Sequence, residues 1–199
     1  SPTLSKYPRP RAARRFSKVN MSKLPNATRD GLSAEQLQIW DRIFEGRTGG
    51  GGPYSMLMHS PAMAQHFAAT EDYFRNNSLL PDPVREVIIL TAAREVEAHY
   101  AWTRHEIRAH KVGVQPATIE AIRAHASVDQ FTGQDKLLVE FTRTLMNEHK
   151  LPDELFRKME KEFGHPKFIE CVGLLGHYIT IGTVIRMFDV QPPAGTKTF

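Results

Sequence analysis

The sequence predicts an all-α fold of about seven or eight helices, and three observations carry that prediction. Apolar residues recur at helical spacing along most of the chain. Many of these runs follow a serine, a threonine or a proline, residue types that favour the start of a helix. No run shows the sustained alternation of polar and apolar residues that marks a strand, so no sheet is predicted.

The first predicted helix covers residues 34–45. Ser33 is a good N-cap residue, and the apolar residues after it recur every three or four positions. Residues 46–53, with four consecutive glycines, then break the helix. A phosphate-binding loop would need a Lys-Ser or Lys-Thr pair after its glycines, and Pro53-Tyr54 stands there instead. This segment is predicted to be a mobile loop, with the rim of an active site as a second interpretation.

A second helix is predicted from Ser60-Pro61 to about residue 76, because a cap followed by proline starts a helix well. The run from Pro81 to Gly113 has helical character but is long for one helix. Residues 94–97 interrupt its apolar pattern, so two helices are predicted in this run. The helices predicted after the second are residues 82–93, 98–111, 115–125, 133–149, 153–163 and 166–188.

Charge and proline content set the predicted domain boundaries. Residues 1–29 hold eight lysines and arginines and no acid, whereas the rest of the chain holds 18 basic and 22 acidic residues. Residues 1–29 are predicted to be a basic flexible extension, since they cannot bury enough surface to order themselves. The helical domain is predicted over residues 30–192, and residues 193–199 are predicted to be a short loose tail.

Composition also limits the expected partners. The excess basic charge belongs to the extension and not to a folded face with stacking aromatics, so no nucleic-acid partner is expected. The Arg-rich start leaves an organelle-targeting role open, although it lacks the apolar core of a secretory signal. The most apolar long stretch, residues 172–185, is too short for a membrane span and is predicted to be a buried helix.

Cys171 is the only cysteine, so this sequence can form neither an intrachain disulfide nor a cysteine-based metal cage. Free cysteine is usually buried, and Cys171 is predicted to be a buried helix thiol. A lone thiol fits a reducing compartment, and a cytoplasmic location is expected.

Periodicity places one ionisable residue on an otherwise apolar helix face. Residues 98, 101 and 105 share a face of the predicted helix 98–111, and His105 is the only ionisable member. Histidine is the commonest general acid or base in enzymes. A lone histidine among alanines and aromatics can also be a packed or surface residue, and periodicity does not decide between these interpretations.

Several motifs follow one another along the chain. They are Gly52-Pro53-Tyr54, Leu57-Met58-His59-Ser60-Pro61, Arg85-Glu86-Val87-Ile88-Ile89-Leu90, Tyr100-x-Trp102-x-x-His105 followed by Gly113-Val114, and Gly176-His177-Tyr178. In this order and spacing they resemble the motifs of the carboxymuconolactone decarboxylase and alkylhydroperoxidase D-like family. The resemblance covers about residues 34–192 and implies an alkylhydroperoxidase D-like helical bundle.

In the alkylhydroperoxidase D-like branch, a Cys-x-x-Cys pair precedes a histidine that is relayed to a glutamate. The resemblance places these four positions at Ala98, Ala101, His105 and Glu86. Alanine has neither a nucleophile nor a redox couple, so a thiol peroxidase is not expected. The resemblance implies that Glu86 and His105 lie within hydrogen-bond reach and are the catalytic residues of a proton relay.

In the lactone decarboxylase branch the motif commonly reads Glu-Tyr-Glu-Trp-x-x-His, and here His99 and Ala101 replace the two acids. The expected function is therefore broader than decarboxylation alone. It is proton transfer on a small oxygenated organic acid or lactone, by decarboxylation, isomerisation or hydrolysis, without a cofactor. The alternative is a non-catalytic oligomer of the same fold that binds a small molecule or a partner.

Further polar side chains near this site are candidates for substrate binding, because arginine can clamp a carboxylate through paired hydrogen bonds. The candidates are His99, Tyr100, Arg85, Arg94 and His177. Solvated or interface ion pairs are the alternative for the arginines. Trp102 is predicted to pack in the core.

A metal site and an assembly state complete the expectations. His99 could form a metal site with His59, His66 or His177, but no tight ligand motif is present, so no metal is expected. Sites in this family are usually built from helices of related subunits. The resemblance therefore implies a homo-oligomer, either a trimer, a hexamer or a dimer-based assembly.

Overall fold

The computed structural model describes residues 22–45 and 52–199, and this part of the chain is all-helical. Its elements, in chain order, are α1 (Ala34–Phe44), α2 (Pro53–Leu57), α3 (Pro61–Asn76), α4 (Asp82–Glu95), α5 (His99–Lys111), α6 (Pro116–Arg123), a short 3-10 helix (Val128–Gln130), α7 (Gly133–Glu148) and α8 (Asp153–Met187). The all-α prediction is confirmed. Most of the predicted basic extension and the glycine-rich residues 46–51 lie outside the described residues.

Local sequence signals explain where these helices begin and end. Ser33 and Gln36 form a capping box at the start of α1, each side chain bonding the backbone of the other. Proline occupies the first turn of α2, α3, α4 and α6, where its missing N–H costs nothing. The predicted break after residue 93 is present: α4 ends at Glu95, and Glu97 has a left-handed φ of 53° that no helix can continue through.

The long helix α8 is broken at Gly164, which has a φ of 63° and a ψ of 170°. The break separates residues 153–163 from residues 165–187, close to the two helices that the sequence predicts. Pro166 falls in the first turn of the second part, where proline is tolerated. By length and composition α8 could cross a membrane, but 56% of its most apolar window is buried inside the protein, as in a core helix.

The short helix α2 was not predicted, because its five residues are too few for a periodic pattern and it follows directly on the glycine-rich segment. Gly52 precedes it with a φ of 86°, a conformation that favours glycine. A Cβ at this position would lie 2.5 Å from the Tyr100 hydroxyl oxygen. Glycine is therefore required here both by its backbone conformation and by the close approach of Tyr100.

Helix α4 lies at the centre of the fold and packs against α5, α6, α7 and α8. Its apolar side chains are buried on nearly all faces, and Ile88 and Leu90 are fully inaccessible. Trp102 and Cys171 lie in the core around α4, so both predictions of burial are confirmed. A polar side chain on α4, such as Glu86, is consequently held inside the protein and must find a partner there.

In the segment 193–199, predicted to be a short loose tail, residues 193–197 are exposed and the last two residues contact the helical domain. The Phe199 ring stacks on His99 at 4.4 Å and meets Trp102 edge-on at 5.3 Å. Arg94 lies over the same ring, and Arg123 donates a hydrogen bond to the Thr198 carbonyl. The prolines and small residues of the tail led to the prediction that it is loose. The aromatic side chain of Phe199 nevertheless offers enough apolar surface to pack against the domain.

Candidate active site

Glu86 and His105 are hydrogen-bonded where α4 and α5 pack side by side. The distance from His105 Nδ1 to Glu86 Oε2 is 2.7 Å. Both residues are buried: His105 is 6% exposed and Glu86 is 8% exposed. An ionised carboxylate can only accept hydrogen bonds, so the ring hydrogen of a neutral His105 stands on Nδ1. The fold thus brings together the two residues that the family resemblance pairs.

The second ring nitrogen of His105 is also engaged. Tyr178, on the second part of α8, has its hydroxyl oxygen 3.1 Å from His105 Nε2, and the two rings meet edge-on with centroids 5.0 Å apart. With the hydrogen on Nδ1, Nε2 accepts and the tyrosine hydroxyl donates. Burial, followed by the charges of Glu71 and Glu86, raises the pKa of Tyr178 well above its usual range, so this side chain stays a neutral phenol.

These three side chains line a cavity of about 260 Å³. Its volume is near the lower end of the range typical for small-molecule sites. The other lining residues are Glu71, Phe74, Arg75, Asp82, Arg85, Ile89, Arg108, Lys111, Val112 and Leu174. Part of the wall is therefore apolar, while the rest carries charge of both signs.

The positive groups on the cavity wall differ in whether they are neutralised. Arg85 donates to the Leu80 carbonyl and pairs with Asp82, and Arg75 pairs with Glu71. Arg108 and Lys111, three residues apart on α5, form no salt bridge with any of the residues 22–45 and 52–199. The end of the cavity near these two residues therefore favours an anionic group.

Of the predicted substrate-binding residues, Arg85 lines this cavity and His177 lies behind its wall. The His177 ring packs against Phe67 at 5.8 Å and against Tyr178 at 5.3 Å. Its Nε2 atom is buried without a hydrogen-bond partner among the described residues. Burial lowers the pKa of His177, which favours the neutral ring, as expected for an imidazole in an apolar setting.

His99, Tyr100 and Arg94 do not line this cavity, so the structure does not bring them together with His105 there. His99 stacks on Phe199, the Tyr100 ring covers Gly52, and Arg94 bonds the Arg123 carbonyl. The reason is helical geometry. His99 and Tyr100 stand six and five positions before His105 on α5, which turns them to other faces of the helix.

The histidines considered for a metal site do not converge. Within residues 22–45 and 52–199, no three His, Cys, Asp or Glu side chains form a group that could hold a metal ion. His59 lies 2.9 Å from the Pro25 carbonyl, whereas the His99 ring packs on the Phe199 ring.

Sequence reasoning missed Tyr178, Arg108 and Lys111. Tyr178 belongs to the Gly-His-Tyr motif of the last helix, in which only the neighbouring His177 is a sequence-predicted candidate. Arg108 stands one turn after His105, a spacing that places both on one side of α5 and could have indicated it. No sequence signal links Tyr178 to His105, which is 73 positions away.

A second buried glutamate, Glu170, has a different environment. Its carboxylate accepts hydrogen bonds from the Tyr73 hydroxyl at 2.6 Å, the Ser78 hydroxyl at 2.5 Å and the Leu79 backbone N–H at 2.9 Å. Burial acts to raise the pKa of Glu170, but these hydrogen bonds outweigh it and hold the pKa below its usual value. Glu170 therefore fastens the segment between α3 and α4 onto α8.

The sequence matches no protein-family model and no curated protein. Solved structures do match. One is the debrominase Bmp8, as a cysteine-to-alanine variant in complex with 2,3,4-tribromopyrrole, with a TM-score of 0.69 at 13% identity over 88% of this chain and 94% of that one. Another is an alkylhydroperoxidase AhpD core, an uncharacterized peroxidase-related protein from Ralstonia eutropha JMP134, with a TM-score of 0.69 at 14% identity over 87% and 93%. The chain has the alkylhydroperoxidase D-like fold that the motifs predict.

Proposed function

We propose that this protein is an enzyme that transfers protons on a small oxygenated organic acid or lactone, in a decarboxylation, an isomerisation or a hydrolysis. The observation that carries the proposal is the 2.7 Å hydrogen bond between Glu86 and His105 on the wall of a cavity of about 260 Å³. A buried carboxylate that holds one nitrogen of an imidazole is the arrangement that general acid–base catalysis uses.

The two residues have distinct tasks in this proposal. His105 takes the proton and becomes an imidazolium, and later returns it. Glu86 stays ionised throughout: it fixes the hydrogen of the neutral ring on Nδ1 and stabilises the positive charge while His105 holds the extra proton. Because water is largely excluded from this buried pair, the stabilisation is stronger than it would be at the surface.

Charge on the cavity wall supports an acidic substrate. Arg108 and Lys111 offer hydrogen-bond donors without a salt-bridge partner among the described residues, and a carboxylate would complete them. The cavity volume of about 260 Å³ limits the substrate to a small molecule. A compact lactone or keto acid with one carboxylate fits both conditions.

Thiol chemistry has no support in the same region. Ala98 and Ala101 stand where the peroxidase thiols would be, and both are buried. Burial raises the pKa of the Cys171 thiol to about 12, and a thiol at that pKa gives almost no thiolate at neutral pH. The resemblance to a debrominase and a peroxidase-related protein therefore supports the fold, while the proposed reaction rests on the cavity.

The test is turnover of a panel of γ-lactone carboxylic acids and their open-chain hydroxy and keto acids in D₂O, followed by proton NMR. One spectrum reports decarboxylation, double-bond migration, ring opening and deuterium uptake. We expect His105→Gln to lose about 100-fold or more of the turnover, the usual contribution of a positioned acid–base group. His110→Gln, an exposed histidine of the same helix, is the control and should match the wild type. Unchanged turnover in His105→Gln would contradict the proposal.

A non-catalytic role is the alternative, and a His105 turned to solvent or sealed from any cavity would have favoured it. His105 is instead 6% exposed and lines the cavity, so the acid–base role has the better support.

We also propose a homo-oligomer, as the family resemblance implies. Ile169, at 71% exposed, and Val172 present apolar side chains on one side of α8, and a second copy would cover them. Sedimentation velocity measures the mass directly, and a monomer at micromolar concentration would contradict this proposal.

A further inference from the structure

We propose that the Tyr178 hydroxyl, and not a ring nitrogen of His105, is the group that meets the substrate and passes the proton between it and His105. This inference rests on the proposed acid–base function and names the residue that delivers it.

The first argument is that His105 has no free ring nitrogen. Nδ1 is held by Glu86 at 2.7 Å and Nε2 by the Tyr178 hydroxyl at 3.1 Å. An imidazole has only these two sites for protons. A substrate can therefore reach His105 only by displacing Tyr178 or by acting through it.

The second argument is that Tyr178 is fixed in place. It is buried, it comes from a core helix, and its ring is held edge-on between His105 and His177, with centroids 5.0 Å and 5.3 Å away. Swinging the ring aside would disturb this packing, so displacement is the costlier route. The side chain nonetheless lines the cavity, which leaves it within reach of a ligand.

The third argument is that the relay balances in protons and charge. A substrate proton moves to the Tyr178 oxygen while the tyrosine's own hydrogen moves to His105 Nε2. Tyr178 is a neutral phenol before and after the step, His105 becomes an imidazolium, and the substrate keeps the electron pair of the broken bond. In the return step the imidazolium gives its Nε2 hydrogen to the tyrosine oxygen, which releases its own hydrogen to the substrate. Glu86 stays a carboxylate in both steps.

The environment of the phenol fits a concerted relay. Burial and two nearby carboxylates raise the pKa of Tyr178, so a free phenolate is unfavourable there. The two hydrogen transfers must then occur together, with the tyrosine as a neutral bridge.

One experiment tests the ground-state arrangement without any substrate. In protein labelled with ¹⁵N-histidine, long-range correlation spectra report which ring nitrogen of His105 carries hydrogen. We expect hydrogen on Nδ1, an unprotonated Nε2, and a shift of the Nε2 resonance in Tyr178→Phe. Tyr73→Phe is the control, because it also removes a tyrosine hydroxyl from a helix, but one that is hydrogen-bonded to Glu170. It should leave the nitrogen resonances of His105 unchanged. Hydrogen on Nε2, or no shift in Tyr178→Phe, would overturn the inference.

Turnover of the lactone acids then separates this inference from the proposed function. If Tyr178 is the relay, Tyr178→Phe loses about 100-fold in turnover and Tyr73→Phe does not. If His105→Gln is inactive but Tyr178→Phe keeps wild-type turnover, the inference fails and the proposed function stands. If His105→Gln keeps its turnover, the proposed function itself fails.

A final variant distinguishes a relay from a packing role. Incorporation of 3-fluorotyrosine at position 178 keeps the ring and its contacts but lowers the proton affinity of the oxygen. A relay predicts a changed turnover and a displaced pH–rate profile. A profile identical to that of the wild type would assign Tyr178 a structural role and overturn the inference.

Discussion

Two buried glutamates of this protein have similar exposure but different surroundings. Glu170 is 7% exposed and Glu86 is 8% exposed. Glu170 accepts hydrogen bonds from two hydroxyls and a backbone N–H, and it joins two parts of the fold. Glu86 is bonded to one imidazole, which is bonded in turn to a tyrosine, and all three line a cavity.

The comparison shows that burial of a carboxylate does not by itself indicate catalysis. The donors around Glu170 favour the ionised form and fix it, which is what a structural anchor needs. The partner of Glu86 is an imidazole, a group that can both accept and donate a proton. What decides the role is therefore the chemistry of the partner and its access to a cavity.

The largest expected effect is the loss of catalysis when Glu86 is changed. Glu86→Gln keeps an oxygen that can accept from His105 but removes the charge that stabilises the imidazolium, so turnover should fall by about 100-fold. Glu170→Gln is the matched control, and its turnover per folded molecule should equal that of the wild type. Equal losses in both variants would remove the functional distinction between the two sites.

The next effect is a loss of folding stability when Glu170 is changed. In Glu170→Gln the amide group replaces one carboxylate oxygen and faces donors, so the free energy of unfolding should fall by about 2 kcal/mol. Urea denaturation followed by circular dichroism measures it. A stability equal to that of the wild type would show that the hydrogen bonds of Glu170 contribute nothing net.

A smaller effect is expected for substrate affinity. Arg108→Gln removes from the cavity wall a positive charge that has no salt-bridge partner among the described residues, so KM for a lactone acid should rise about tenfold while kcat changes little. Arg104→Gln, an exposed arginine of the same helix, is the control. If KM does not move in Arg108→Gln, the anionic group binds elsewhere.

Acid should weaken the structural site. The folded-state pKa of Glu170 lies below its unfolded value, so its ionisation stabilises the fold at neutral pH. That contribution is complete above about pH 4.5, the ordinary pKa of a glutamate, and is lost as the pH falls through the folded-state pKa. The stability gap between the wild type and Glu170→Gln should therefore narrow below that pH, and a constant gap would refute the assignment.

Thiol chemistry should be absent. With Ala98 and Ala101 in place of thiols and Cys171 buried, the protein should not reduce hydroperoxides with a dithiol donor. Cys171→Ser should match the wild type in a peroxide-consumption assay. Peroxide consumption that disappears in Cys171→Ser would reverse this conclusion.

The sequence predicted most helices because their signals are local. The capping box at Ser33, the prolines at helix starts and the interruption at residues 94–97 all act within a few residues. Helix α2 escaped prediction because five residues are too few for a periodic pattern. The packing of Phe199 on His99 was not predicted, because it joins residues that are far apart in the sequence.

The site was predictable only in part, for the same physical reason. Glu86 and His105 were paired through the spacing of the family motif, and the fold then brought them together. Tyr178 comes from a helix far along the chain, and only packing places its hydroxyl on His105. His99 and Tyr100 are close to His105 in the sequence, but they lie on other faces of helix α5 and do not line the cavity.

The central claim is that Glu86 and His105 act as one relay, and a double-variant cycle tests it most directly. Turnover of one lactone acid is measured for the wild type, Glu86→Gln, His105→Gln and the variant with both changes. If the residues act as a unit, the double variant loses no more than the worse single variant, because the relay is already broken. If the two losses multiply, the residues act independently, and the proposed relay is contradicted.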